Sequence, residues 1–230
     1  MPSDAEQDYQ EQRRLWAVLH DAFFRRLRRW FGVRVYGIYS RPLKIPETTP
    51  NLEEFSYRVF QHDEAAELLS FIKNPGLNLS PEFVHAALEK GDACDVIIHN
   101  DEVVSYSWLA FSPTLDSDGV YISFRSSDRY GYKALTLPEF RGQHLRRLFK
   151  PMTDRYCIER GCTDAIAFIE ITNRSSLKLN LALGNRLVGY AGYLVWGWLF
   201  VPFRSPGVRR REFRFSRRVA DRPIRAACHR

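Results

Sequence analysis

The sequence predicts an α+β fold, a twisted sheet flanked by helices and preceded by an amphipathic helix. Three observations carry that expectation. Strand-like and helix-like stretches alternate from residue 54 to residue 215. Two strand-like runs, Tyr132–Leu137 and Ala165–Ile171, feed directly into helical patterns, and two others read as a hairpin. Apolar residues make up 45% of the 230 and aromatics 14%, enough for a sizeable core, which excludes wholesale disorder and favours one large domain over two small ones.

The first twelve residues carry four acids and no base, and no apolar stretch follows, which is the wrong polarity for a secretory signal. Residues 13–44 then read as the first basic segment, nine Lys or Arg against Asp21 alone. Within it Trp16, Leu19, Phe23, Leu27 and Trp30 fall on an arc of roughly 80° of a helix, and Gly32 is a natural stop. Trp, Phe and flanking Arg suit a helix in a lipid interface; packing on the domain or on another subunit is the alternative. Arg41 to Pro50, with three prolines, reads as a linker.

Next, Glu54–Phe60 has the aromatic and β-branched content of a strand. Helical patterns follow at 63–73 and 81–90, the second with Ser80 as N-cap and Pro81 at its first position. Cys94–His99 and Val103–Phe111 read as a hairpin turning through Asn100, Asp101 and Glu102. Gly119–Arg125 and Tyr132–Leu137 are strand candidates. A helix from about Gly142 ends at Gly161, a natural left-handed cap. After the strand Ala165–Ile171, a short helix spans Asn173–Leu183 and stops at Gly184. Tyr193–Val201 and Arg210–Phe215 are read as a last hairpin around Pro202–Gly207. The uncharged run Leu187–Phe203 is short for a membrane span and rich in Gly and Tyr, so a strand is expected there.

The net charge of +7 is unevenly spread. Residues 204–230 hold ten Arg against Glu212 and Asp221, so both ends are basic and the middle is mildly acidic. Such ends suit an anionic membrane, a polyanion, an acidic carrier protein or a phosphorylated substrate, and charge alone does not choose. The four cysteines lack zinc or disulfide-framework spacing, so no metal is expected and a reducing cytoplasm is the simplest setting.

The chemistry concentrates after Tyr132. A strand, Pro138, the turn Arg141-Gly142-Gln143 and a helix N-terminus bring unpaired N–H groups and the positive end of a helix dipole together, which favours a phosphate or diphosphate. Gly142 permits close approach, and Arg141 and Arg146 add charge. An ordinary strand–helix connection has the same outline, and Asn173 can be simply the cap of its helix. Glu170, near the end of the second strand, is the first candidate base, against a surface carboxylate meeting Arg174 or solvent. His144 is the second candidate base, against a phosphate neighbour or a turn residue; His99 reads as a loop histidine. Tyr130 and Tyr132 could line an acceptor pocket or simply pack.

Strand, Pro-x-x-Arg-Gly turn, helix, strand, then N-x-x-S-x-x-L-x-x-x-x-G resembles the GNAT superfamily of acyl-CoA N-acyltransferases. The matched residues are Leu137, Pro138, Arg141, Gly142, Asn173, Ser176, Leu179 and Gly184. The resemblance covers about residues 54–217 and implies a GNAT-like mixed, mostly antiparallel twisted sheet. It implies that Leu135, Thr136 and Leu137 offer backbone groups to a pantetheine arm. Gly142, Gln143, His144, Leu145 and Arg146 would hold the diphosphate of acyl-CoA, acetyl or longer. Asn173 and Ser176 would lie along the arm, and Asn180 near the sulfur. The sequence departs from the family pattern at His144 and Arg146, where small residues are usual, at Asn180, where tyrosine is usual, and at Asn185, where phenylalanine is.

The expected organisation is an acidic start, basic amphipathic helix and Pro-containing linker at 1–50, a GNAT-like acyltransferase domain at 51–218 and a basic tail at 219–230. The expected activity is transfer of an acyl group from acyl-CoA, or from an acyl carrier protein, to an amine, in the cytoplasm or peripherally on the inner membrane. The alternative is a non-catalytic module of the same fold that binds nucleic acid or a protein partner through its Arg-rich ends; no nucleic-acid-binding motif accompanies those ends.

Overall fold

The computed structural model describes residues 32–45, 54–116 and 119–217, together with Arg26 and Trp30. Most of the amphipathic helix read between 13 and 32, and all of the tail at 219–230, lie outside the described residues.

The chain opens with strand β1 (Val33–Pro42) and β2 (Ser56–Gln61), then helices α1 (Ala65–Phe71) and α2 (Pro81–Glu89). The hairpin of β3 (Ala93–His99) and β4 (Glu102–Ala110) follows. Its two turn residues, Asn100 and Asp101, both have positive φ, as a primed turn requires. After the short strands β5 (Thr114–Leu115) and β6 (Tyr121–Ser123) comes β7 (Asp128–Thr136), followed by helix α3 (Leu145–Glu159) and β8 (Asp164–Glu170). Helix α4 (Arg174–Ala182), β9 (Arg186–Trp196), β10 (Leu199–Arg204), helix α5 (Pro206–Arg210) and β11 (Arg214–Ser216) complete the order.

Among the described residues, eight strands form one sheet in the order β10-β9-β1-β8-β7-β4-β3-β2, and β11-β6-β5 form a second. Every pairing is antiparallel except β7 with β8. The fold is therefore the α+β, mixed and mostly antiparallel sheet that the sequence predicts. Local signals explain the helix ends: Ser80 Oγ accepts from the Phe83 N–H at 3.2 Å, and Gly161 and Gly184 take positive φ after α3 and α4.

Two expectations need correction. Residues 33–42 belong to the sheet, not to a segment ahead of the domain: β1 lies between β8 and β9 and pairs with both. Its Val, Tyr and Ile content is that of a strand, and its few basic residues obscured it. The run after Leu187 is also not one strand to Val201. The chain turns at Gly197 and Trp198, with Leu199 opposite Trp196, because Gly197 supplies the positive φ a two-residue turn needs. Pro206–Arg210 is helical, and β11 pairs with β6.

Helices α1 and α2 cover one face of the sheet and α3 the other. Trp108 meets Phe83 of α2 at 5.1 Å between ring centroids, whereas Tyr57 stacks on Phe149 of α3 at 5.9 Å. The small sheet closes an aromatic cluster of Tyr36, Phe168, Phe213 and Phe215 over β1 and β8. No helix among the described residues is long and apolar enough to cross a membrane.

Candidate functional site

The parallel pair β7–β8 holds together only at its start, with Asp128 opposite Asp164, Arg129 opposite Ala165 and Tyr130 opposite Ile166. Beyond Tyr130 the strands part. The cause lies in β7, where Lys133 takes φ 42° and the register against β4 shifts between Tyr106 and Trp108, so Lys133 and Ala134 together face Ser107. The bulge bends β7 away from β8. The far end of β7 stays pinned to β4: Leu137 donates its N–H to Val104 O at 2.9 Å, and Ser105 Oγ donates to Leu135 O at 3.1 Å. From Gly131 to Thr136 the edge of β7 facing β8 is open.

At the end of that edge Arg141 Nε donates to Thr136 O at 3.0 Å and folds the turn back. Gly142 and His144 both have positive φ, 83° and 57°. The helix starts at Leu145 with left-handed His144 as N-cap, and no side chain caps it. Among the described residues, no acceptor is found for the backbone N–H groups from Gly142 to Arg146. Alternating backbone hands that leave several N–H groups convergent make an anion nest, reinforced here by the positive end of α3. Open space surrounds the position of a Cβ on Gly142, so its glycine is explained by backbone hand rather than by a close neighbour.

A cavity of about 670 Å³ runs from this nest beneath α3, between the parted strands and α4. Arg41, Arg129, Arg141, Arg146, Arg147, Lys150 and Lys178 line it, and among the described residues no Asp or Glu does. Of the residues singled out in the sequence, Thr136, Arg141, Gly142, His144, Leu145, Arg146 and Asn180 line the cavity. Leu135, Leu137, Gln143, Asn173, Ser176 and Glu170 do not. Leu137 and Leu145 are buried in the core. Asn173 caps α4, its Oδ1 accepting from the Ser176 N–H at 3.1 Å. Glu170 closes β8 in register with Tyr36. Asn180 is held by Asn185, whose Nδ2 donates to its Oδ1 at 2.8 Å.

Arg146 has a different partner from the one its position suggests. Its Nη2 donates to both oxygens of fully buried Asp95, at 2.8 and 2.9 Å, and Thr153 Oγ1 donates to the same carboxylate at 2.6 Å. Its charge is thus committed inward, although it stands at the start of α3.

Four further polar residues escaped the sequence reading. Arg41 of β1 makes a two-pronged pair with Asp154, both contacts 2.7 Å and both residues buried. Arg129 Nη2 lies 3.8 Å from the same carboxylate, and Lys150 stands one turn earlier on α3. Burial, with Arg41 and Arg129 nearby, holds the Lys150 ammonium below its ordinary range. The signal that could have found them is the i, i+4, i+8 stripe Arg146, Lys150, Asp154, which resembles a solvated helix face.

On the opposite face Tyr132 donates its hydroxyl to Asp92 at 2.6 Å, and Lys90 Nζ lies 2.8 Å from the same carboxylate. Burial pushes the Asp92 carboxyl up. Tyr130 stacks on Phe168 at 5.3 Å, so it packs in the aromatic core. Cys94, Cys157 and Cys162 are free and buried, and burial pushes the Cys157 thiol up to about 12. No cluster able to hold a metal is found among the described residues.

No protein-family model matches the chain, and no curated protein does. Solved structures do resemble it. A Drosophila protein is 17% identical over 70% of this chain and 50% of its own, with a TM-score of 0.44. A tandem GNAT protein from the clavulanic acid biosynthesis pathway is 13% identical over 75% of this chain and 54% of its own, with a TM-score of 0.47. An aminoglycoside acetyltransferase from an uncultured soil metagenomic sample, solved with sisomicin, is 8% identical over 57% of this chain and 88% of its own, with a TM-score of 0.43. The chain thus spans about half the length of two of these proteins.

Proposed function

We propose that the protein is an N-acyltransferase that takes its acyl group from acyl-CoA, acetyl or longer, and passes it to an amine. The supporting observation is the opened β7 edge leading to the N–H nest at Gly142–Arg146, within a cavity whose charged lining, among the described residues, is cationic. A CoA thioester has the matching chemistry: a diphosphate for the nest and an amide-bearing arm for the open edge.

In this reading the amine nitrogen attacks the thioester carbonyl. Backbone N–H groups of the bulged strand stabilise the oxyanion. The C–N bond forms, the C–S bond breaks, and CoA leaves as thiolate. The proton shed by the nitrogen passes to solvent and one returns to the thiolate; Glu170, outside the cavity lining, is not on that path. Asn180, fixed by Asn185, stands beside the sulfur. A thiol of pKa about 8.5 is a competent leaving group, so no tyrosine is required there.

Calorimetric titration with CoA, acetyl-CoA and longer acyl-CoAs tests the donor, with an acylated carrier protein as the competing thioester. Binding of at least one CoA species at micromolar affinity is expected, and no binding by any would remove the reading. The nucleic-acid alternative gains little: Arg211 pairs with Asp164 at 2.9 Å, and Arg204 and Arg217 donate to backbone carbonyls within the domain.

We also place the enzyme peripherally on an anionic membrane, since Trp30, Trp196 and Trp198 are 78%, 74% and 88% exposed. Sedimentation with anionic vesicles should drop on Trp196→Ser with Trp198→Ser. Equal sedimentation of that variant and the wild type would end this assignment. A truncation for the same purpose must stop before Val33, because β1 is part of the sheet.

A further inference from the structure

At the inner end of the cavity, away from the nest, three cations, Arg41, Arg129 and Lys150, share one carboxylate. That acid is Asp154, and Arg41 occupies its two oxygens at 2.7 Å each. Arg129 keeps only a looser ion pair with it at 3.8 Å, and among the described residues its buried Nε has no partner. Lys150 makes no hydrogen bond or ion pair among the described residues. Beside it Arg146 spends Nη2 on Asp95, while its Nη1 is buried and unpaired. A partly buried group with more cations than acids is costly unless a ligand completes it.

Its position says which ligand. A Cβ on Gly131 would stand 2.9 Å from Arg129 Nη1, so the guanidinium lies against the first residue of the open edge, where β7 and β8 part. Gly131 is five residues from Thr136, about 16 Å along the strand. Lys150, half-buried on the turn of α3 before Asp154, faces the same Arg41, Asp154 and Arg129 group from the helix side. A donor anchored by its diphosphate at the nest therefore points its acyl group at Arg129 and Lys150.

We propose that this inner end of the cavity is an anion subsite, and that it selects a donor whose acyl group carries a terminal carboxylate, a dicarboxylic thioester of succinyl or glutaryl size. The assignment rests on the acyl-transfer reading above, but it concerns the acyl group alone.

The experiment compares succinyl-CoA with butyryl-CoA, equal in carbon number and different in charge, by calorimetry on the full chain. Free CoA is titrated in parallel. The wild type should bind succinyl-CoA at least tenfold more tightly than butyryl-CoA. Lys150→Met should cut that ratio below threefold and Lys150→Arg should keep it, with circular dichroism confirming that both variants fold. A ratio near one in the wild type, or a ratio indifferent to Lys150→Met, overturns the subsite while CoA binding leaves the acyl-transfer reading intact. Absence of binding by CoA and by every thioester overturns that reading and the donor assignment with it. Free glutarate that raises the melting temperature of the wild type but not of Lys150→Met, with succinyl- and butyryl-CoA bound equally, would mean a site for free carboxylates and overturn the donor assignment.

Discussion

Beneath α1 and α2 the sheet offers Phe60, Val96 and Trp108 to Leu68, Val84 and Leu88, all six completely buried. Beneath α3 the same sheet offers Asp95, Ser107, Arg129 and Arg41 to Arg146, Lys150, Thr153 and Asp154. One face is an ordinary apolar interface, whose stability scales with the area removed from water. The other is threaded with charge, and buried ion pairs seldom outperform apolar packing of the same volume. The charged layer also adjoins the cavity. The first face holds the domain together, and the second carries the candidate site at some expense of stability.

The sharpest way to break this contrast is Asp154→Ala, which takes the carboxylate away from buried Arg41 and from partly buried Arg129. A loss of about 3–5 kcal/mol is expected in urea unfolding. Replacing the trio together, Arg41→Met, Arg129→Met and Asp154→Leu, should return stability to the wild-type value or above it and abolish ligand binding. A triple variant as unstable as Asp154→Ala would show that the charged face is itself the scaffold.

On the apolar face Leu88→Ala should cost about 3 kcal/mol, with acyl-CoA affinity unchanged in the surviving folded protein. Gly142→Ala places a side chain at φ 83° and should lower stability by about 1–2 kcal/mol. Because it distorts the nest, it should weaken CoA binding by about tenfold, more than its stability cost alone would suggest.

The smallest effect concerns pH. The Asp92 carboxyl sits above its ordinary value of 3.8 in the folded protein, chiefly through burial, with Lys90 and Tyr132 opposing. The folded state therefore holds this proton more tightly than the unfolded chain. That contribution is present in full below pH 3.8 and is lost as pH rises through the folded value, the reverse of a salt-bridged acid. Asp92→Asn should flatten this part of the stability profile; an unchanged slope above pH 3.8 would assign it to another group.

Most elements were legible because their signals are local: Ser80 and Pro81 at a helix start, Asn100-Asp101 in a turn, Gly161 and Gly184 as stops. The Arg141-Gly142 turn was legible because its special backbone lies between two strong periodic patterns. What escaped depends on distant partners. Arg146 looks like a phosphate ligand until Asp95, 51 residues away, claims it. Arg41 looks like part of a linker until Asp154 binds it across 113 residues. Trp196 and Trp198 continue an alternating pattern that conceals the turn at Gly197. Local propensity carries no record of such pairings.

The place of β1 governs how the chain can be made. It is synthesised early, yet both of its neighbours come late: Ser40 meets Asp164 across 124 residues, and the β9 pairing lies later still. On a ribosome releasing about 5–20 residues per second, that strand waits many seconds with both edges bare. Until its partners emerge, the nascent chain carries an adhesive segment that a chaperone or another copy of itself can capture.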